Sequence, residues 1–149
     1  MSGSERLKEL LKKEDENEDL MLYADKQKSY LASLDILYHQ ISKWLTISGE
    51  GSFKVETKME LVYDVGLNPY EAPMLEVQFF KINELIAFYP KGAVLLVADG
   101  KVEVRSRFEH IELLLKPMNE WQIRKQDSLI PILLTEDSFG DMIADLLGR

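Results

Sequence analysis

Between Leu20 and about Leu45 the apolar residues Leu20, Tyr23, Ala24, Tyr30, Leu31, Leu34, Leu37, Tyr38, Ile41, Trp44 and Leu45 recur at spacings of three and four. That period predicts an amphipathic helix whose stripe is wider than a bare coiled-coil seam. A helix of that length reaches on the order of 40 Å, longer than a small sheet can cover. Its second half is therefore expected to pack on the chain's own sheet. The half around Leu20 is left for a partner or a second copy. Upstream, SERLKELLKK (residues 4–13) predicts a short helix with Ser4 as N-cap, and EDENED (residues 14–19) reads as a solvated helix face or a loop. The glycines of ISGEGS (residues 47–52) end the helical pattern.

Beyond that turn the period drops to two. Phe53, Val55, Thr57, Met59 and Leu61 alternate with Lys54, Glu56, Lys58 and Glu60, as in a strand with one face in water. DVGLNPYEAP (residues 64–73) reads as an irregular connection. MLEVQFF (74–80) and INELIAFYP (82–90) read as strands joined near Lys81–Glu84. Pro90–Gly92 predicts a turn, AVLLVA (93–98) a central strand covered on both sides, and Asp99-Gly100 a two-residue hairpin into KVEVRSRF. HIELLLKP and EWQIRK predict a hairpin across Pro117–Asn119, and Pro131 confines LIPILL to an edge or irregular structure. Thr135 is placed to cap a closing helix with Phe139, Met142, Ile143, Leu146 and Leu147 on one stripe, Leu134 to staple to Phe139, and Gly148 to end it. The expected fold is α+β: N-terminal helices, about seven mostly antiparallel strands in a curved sheet or partly closed barrel, and a C-terminal capping helix. Residues 1–46 are expected to form the helical arm and 47–149 the antiparallel sheet domain with its C-terminal helix, together one globular unit. The strand series closed by one amphipathic helix is similar to pleckstrin-homology-like barrels.

Charge narrows the partners. The 149 residues carry 18 Lys and Arg against 26 Asp and Glu, a formal charge of −8 that opposes phosphate backbones and anionic membranes. Lys101, Arg105 and Arg107 could share a strand face, but Glu103 interrupts them and a solvated face is the simpler reading. With no cysteine there is no disulfide, thiolate metal site or Cys nucleophile. No apolar run approaches the roughly 20 residues of a membrane span, and MSGSERLKELLKKEDENED lacks the apolar core of a signal peptide, so a cytoplasmic protein is expected.

Candidate chemistry is sparse. His39 and His110 are the only histidines and have no zinc spacing. Phosphate-loop and dinucleotide signatures are missing, and EDENED lacks the register of a calcium loop. VETK (residues 55–58) has the E-x-K arrangement of metal-dependent nucleases, which also needs a second acidic ligand from a neighbouring strand. No cofactor or metal is therefore assigned.

The order YADKQKSYLASLDILYHQISKWL, LEVQFF…IAFYPKGAVLLVADGKVEV and EWQI…LLTEDSFGDMIADLL resembles a family of small bacterial proteins of unassigned function. That resemblance implies a leading helix, a P-x-G turn, a DG-(K/R)-V-(D/E)-V hairpin and a closing L-T-E-(D/E)-S-F helix. It brings no catalytic residues. The function expected is a non-enzymatic interaction or regulatory module, with Leu20, Tyr23, Tyr30 and Trp44 as aromatic and aliphatic anchors for a protein partner or for self-association. A second expectation is a ligand-binding protein or enzyme at the open end of the sheet, using Asp64, Tyr70 and His110. A third is an acidic decoy or inhibitor of a basic protein.

Overall fold

Neither glycine nor proline interrupts residues 4–48, and Leu, Lys, Glu, Ala and Gln, all good helix formers, predominate there. In the computed structural model, which describes residues 3–49, 51–95 and 98–149 and the side chains of these apart from 3 and 9–21, the result is one helix, α1 (Gly3–Gly49). The expected short helix, charge run and long helix are thus a single element. EDENED carries like charges four apart, which weaken a helix by only a few tenths of a kcal/mol per pair and do not break it. At 1.5 Å per residue α1 is about 70 Å long. It ends where Gly49, Gly51 with φ 84° and Ser52 turn the chain, Ser52 donating through its backbone to Gly49 O at 3.2 Å.

Seven strands follow in simple sequence order: β1 (Phe53–Val62), β2 (Tyr70–Phe79), β3 (Glu84–Gly92), β4 (Gly100–Arg105), β5 (His110–Lys116), β6 (Glu120–Arg124) and β7 (Ile132–Leu133). Each runs antiparallel to the next, and β1 and β7 are the two edges of an open sheet. α2 (Glu136–Leu146) closes the chain. Tyr30, Leu34, Leu37, Tyr38, Ile41 and Leu45 of α1 are buried with Val77, Ile86, Phe88, Val102, Val104, Leu113 and Ile123 of the sheet and Phe139, Met142 and Leu146 of α2. At roughly 1.5 to 3 kcal/mol for each large apolar side chain removed from water, this shared core is what holds the helices on the sheet. The part of α1 from Tyr30 onward therefore shares one core with the sheet and α2.

The β1–β2 hairpin changes the face it turns inward. Leu75 and Val77 are in the core, and so are Ala72 and Val62, which stand at the opposite parity of an unbroken register. The pair must twist strongly to present both faces inward, the change of parity falling between buried Met74 and buried Leu75. One consequence is that Met59 and Leu61 are exposed. β2 also begins at Tyr70, inside the stretch expected to be irregular, and the true connection is residues 63–69.

A second departure concerns residues 90–100. β3 runs through Pro90 to Gly92 with a register shift between them, so this is a bulged strand end and not a turn. The described residues of AVLLVA form no strand, and Asp99-Gly100 is no two-residue hairpin, since β4 opens only at Gly100. The physical reason is the competition for backbone donors described below. By contrast, the Pro117–Asn119 hairpin, the edge position of β7 and the Thr135 cap agree with the sequence. Thr135 Oγ1 accepts from Ser138 N at 3.2 Å while Ser138 Oγ accepts from Thr135 N at 2.7 Å. Leu134 packs against the core to which Phe139 belongs, and Gly148 with φ 73° follows the last turn.

Candidate functional site

The polar groups that meet inside the fold do so where α1, the 63–69 connection and the end of β3 converge. Tyr30 enters from α1 with no exposed surface. Its hydroxyl donates to Lys101 O at 2.5 Å and accepts from Lys91 N at 3.1 Å and Gly92 N at 3.3 Å. Asp64, just after β1, accepts from Ala93 N at 2.9 Å, from Val94 N at 3.1 Å and from the Tyr70 hydroxyl at 2.5 Å. Lys91 and Gly92, at the end of β3, give their amides to Tyr30, and the first two amides of the apolar run beyond it, Ala93 and Val94, are held by Asp64 and so withheld from a sheet ladder. That is why an apolar run with strand character forms a loop.

Glycine is required at the crossing. Gly92 has φ 134°, and a Cβ there would overlap the Asp64 carboxylate. A Cβ on Gly100 would overlap the Tyr30 ring. Burial pushes the Tyr30 hydroxyl well above the usual tyrosine range, with the Gly92 and Lys91 amides drawing it partly back and the Asp64 charge raising it again. Burial also pushes Tyr70 far up, helped by its hydrogen bond to Asp64 and by that charge. Both phenols are thus held neutral as donors. Among the described residues no buried side-chain nitrogen or oxygen lacks a partner. The node is a hydrogen-bonded clasp in which Tyr30, Asp64 and Tyr70 are each engaged with backbone or with one another.

His110 stands apart from it. Gly92 pairs with Lys101 at one end of β4, whereas His110 pairs with Arg105 at the other. Its Nε2 lies 2.5 Å from Gln126 Nε2, in an open cleft of about 560 Å³ lined by Glu109, Lys125, Gln126, Asp127 and Asp145. The expected constellation of Asp64, Tyr70 and His110 is therefore split: the first two bond to each other and the third faces a different solvent cleft.

The E-x-K strand has the neighbouring acid that sequence could not supply, because Glu76 of β2 stands directly opposite Glu56. However, Lys54 pairs with Glu56 at 2.9 Å and Lys58 with Glu76 at 2.7 Å. Among the described residues no three His, Asp or Glu side chains gather to hold a metal ion. The basic row of β4 is spent likewise: Lys101 meets Glu112 at 2.9 Å, Arg105 meets Glu103 at 2.8 Å, and Arg107 meets Glu84 at 2.9 Å. The lysines and arginines of these strands are thus engaged in ion pairs, some along one strand and some across to the next.

Of the expected anchors, Tyr30 belongs to the core and the clasp and is no surface residue. Tyr23 is half-buried, and a Cβ on Gly66, whose φ is 79°, would come within 2.5 Å of its ring, so it fastens the 63–69 connection to α1. Trp44 is half-buried with its ring 5.2 Å from that of Phe139. Leu20 lies outside the residues whose side chains are described. The sequence points to the stretch at 20–23 but does not single out Leu22, 53% exposed one residue from Tyr23, nor Met118, 98% exposed at a hairpin tip. Periodicity gives Leu22 no place on the stripe, and only the packing of α1 brings the hairpin beside it. Together with Asp25, Lys26, Ser33 and Asp99 these two line an open cleft of about 440 Å³. Further exposed apolar groups lie at Tyr63 and Val65 and at Leu129, Ile130, Ile132 and Leu133. No helix among the described residues is long and apolar enough to cross a membrane. No family model, no curated protein and no solved structure matches this chain.

Proposed function

We propose that the protein is a non-enzymatic interaction module whose binding element is the first part of α1, residues 3–29. The observation that carries this reading is the mismatch between helix and core. α1 is 47 residues long, yet among the described side chains none before Tyr30 is buried. Residues 3–21, about 28 Å of helix, precede Leu22 and Tyr23, where the described side chains of α1 first meet the sheet domain, and isolated helices are marginal in water. Covering that stretch with a partner supplies the packing the fold itself withholds. The clasp supports the same reading, because the ionisable groups inside the fold are engaged with backbone and with one another.

Leu22 marks where the arm meets the sheet domain and is the position to probe. A photo-crosslinking amino acid placed at Leu22 is expected to trap one protein species in the living cell, and the same group at exposed Glu109, in the β4–β5 turn, to trap none. If Leu22 traps nothing, or both positions give the same products, the arm is not the binding element.

A further inference from the structure

The two edges of the sheet are not alike. β7 is two residues long and directly follows Pro131, and so short an edge offers little backbone to a neighbour. β1 runs for ten residues with neither proline nor glycine, pairs with β2 in an unbroken register, and has no strand on its other side. Ser52 O accepts from Phe80 N at 3.2 Å, two residues before Lys54 meets Gln78, so the even positions of β1 are the ones hydrogen-bonded to β2. Phe53, Val55, Thr57, Met59 and Leu61 therefore point their N–H and C=O groups at the open edge. An open cleft of about 290 Å³, lined by Asp35, His39 and Ser42 of α1 and by Val55 and Thr57, separates the helix from this edge. A long, regular, uncovered edge is a template for another strand.

We propose that two copies of this chain join edge to edge through β1, antiparallel, about a two-fold axis at Thr57, so that one sheet runs through both. This surface is separate from the arm and does not depend on it. What selects a second copy is the charge order Lys54, Glu56, Lys58, Glu60 on one face of the strand. With the axis at Thr57, Lys54 stands opposite Glu60 of the other copy and Glu56 opposite Lys58, while Thr57 meets its own image. An axis at Glu56 or at Lys58 instead sets that residue against itself and brings Lys54 to Lys58 or Glu56 to Glu60, like charges directly opposite. An axis at Val55 or Met59 restores opposite charges but pairs only residues 53–57 or 56–62, against 53–61 here. An axis between two residues sets edge-facing positions against inward-facing ones and forms no ladder. The favoured register also covers apolar surface. Met59 and Leu61, 56% and 48% exposed, are laid beside Val55 and Phe53 of the other copy, which pack against that copy's core. The five edge-facing residues of each strand then share about ten backbone hydrogen bonds, and because both copies use the same edge the assembly closes at two.

The chain has no cysteine, so a single one introduced at the edge reports the register. Thr57→Cys, oxidised, is expected to give a disulfide-linked dimer, while Met59→Cys, whose image lies about 13 Å away along the strand, is expected to give little. Sedimentation of the unaltered chain is expected to show a dimer. Thr57→Pro removes a donor that faces the edge and not β2, and is expected to be a monomer that still unfolds cooperatively. Glu56→Lys sets two cations against each other on both sides of the axis and is expected to weaken the dimer about tenfold. The exchange Glu56→Lys with Lys58→Glu is expected to restore it, and since position 56 lies opposite Glu76 the exchanged chain keeps an ion pair with β2. A chain that is monomeric at every concentration overturns the proposal. So does a dimer that Thr57→Pro leaves intact, or linkage through Met59→Cys as ready as through Thr57→Cys. Should Thr57→Pro fail to fold, the charge exchange decides: weakening by Glu56→Lys that the exchange does not restore overturns the pairing.

Discussion

Asp64 and Tyr70 were legible as candidates and illegible as a clasp. Sequence shows a carboxylate and a phenol six residues apart beside a loop, which equally fits a ligand site. That Asp64 is placed against the amides of Ala93 and Val94, 29 and 30 residues on, is set by how β1 and β3 sit in the sheet. Tyr30 misled for the same reason: its helical spacing marks the apolar stripe but not the Lys101 carbonyl 71 residues away. The clasp gives a graded expectation. Asp64→Ala leaves two amides and the Tyr70 hydroxyl without their acceptor and is expected to cost about 2 kcal/mol. Asp64→Asn keeps one oxygen and should cost roughly half of that. Urea unfolding of the two variants checks the order, and equal losses would mean that water replaces the carboxylate in this half-buried position.

At the scale of elements, signals that depend on local chemistry read correctly and those that depend on competition did not. The Thr135 cap, the Pro117–Asn119 hairpin and the short β7 edge each follow from residues within a few positions. AVLLVA failed because an apolar run shows only that a segment is buried, and its first two donors, Ala93 N and Val94 N, are held by Asp64. The hairpin itself carries a testable strain. Met118 has φ 67° and Asn119 φ 57°, a backbone region that costs a non-glycine residue roughly 1 to 2 kcal/mol. Asn119 is engaged with Ser33, whose hydroxyl lies 2.5 Å from its Oδ1, but Met118 is 98% exposed and loses no packing within the chain when replaced. Met118→Gly is therefore expected to raise unfolding free energy by about 1 kcal/mol, seen as a higher urea midpoint at unchanged slope. A lower midpoint would show that Met118 packs in solution.

For the molecule as a whole, the α+β meander with a helix at each end was legible from the switch in period. The sharing of one core by α1 and α2 was not, since only the tertiary packing brings Trp44 onto Phe139. That core sets how the protein responds to base. Tyr38, 7% exposed, donates to Pro73 O at 2.8 Å, and burial pushes its hydroxyl far above the ordinary range, as it does for Tyr30. In the unfolded chain a tyrosine ionises near about pH 10. A group whose folded value is raised contributes stability that is fully present below the unfolded value and is lost as pH rises beyond it. Each such hydroxyl is expected to remove up to about 1.4 kcal/mol of stability per pH unit above roughly 10. The thermal midpoint should accordingly be flat through neutral pH and fall steeply above about 10. Self-repulsion from the net charge of −8 adds to that fall, but it acts on the protein and on Tyr38→Phe alike. The difference between their curves isolates one phenol. Tyr38→Phe is expected to be less stable at pH 8 and to lose stability more slowly above pH 10, so that the curves converge. Parallel curves would mean that the Tyr38 hydroxyl ionises as readily in the folded protein as in the unfolded chain, and that water reaches the face of α1 that holds the sheet.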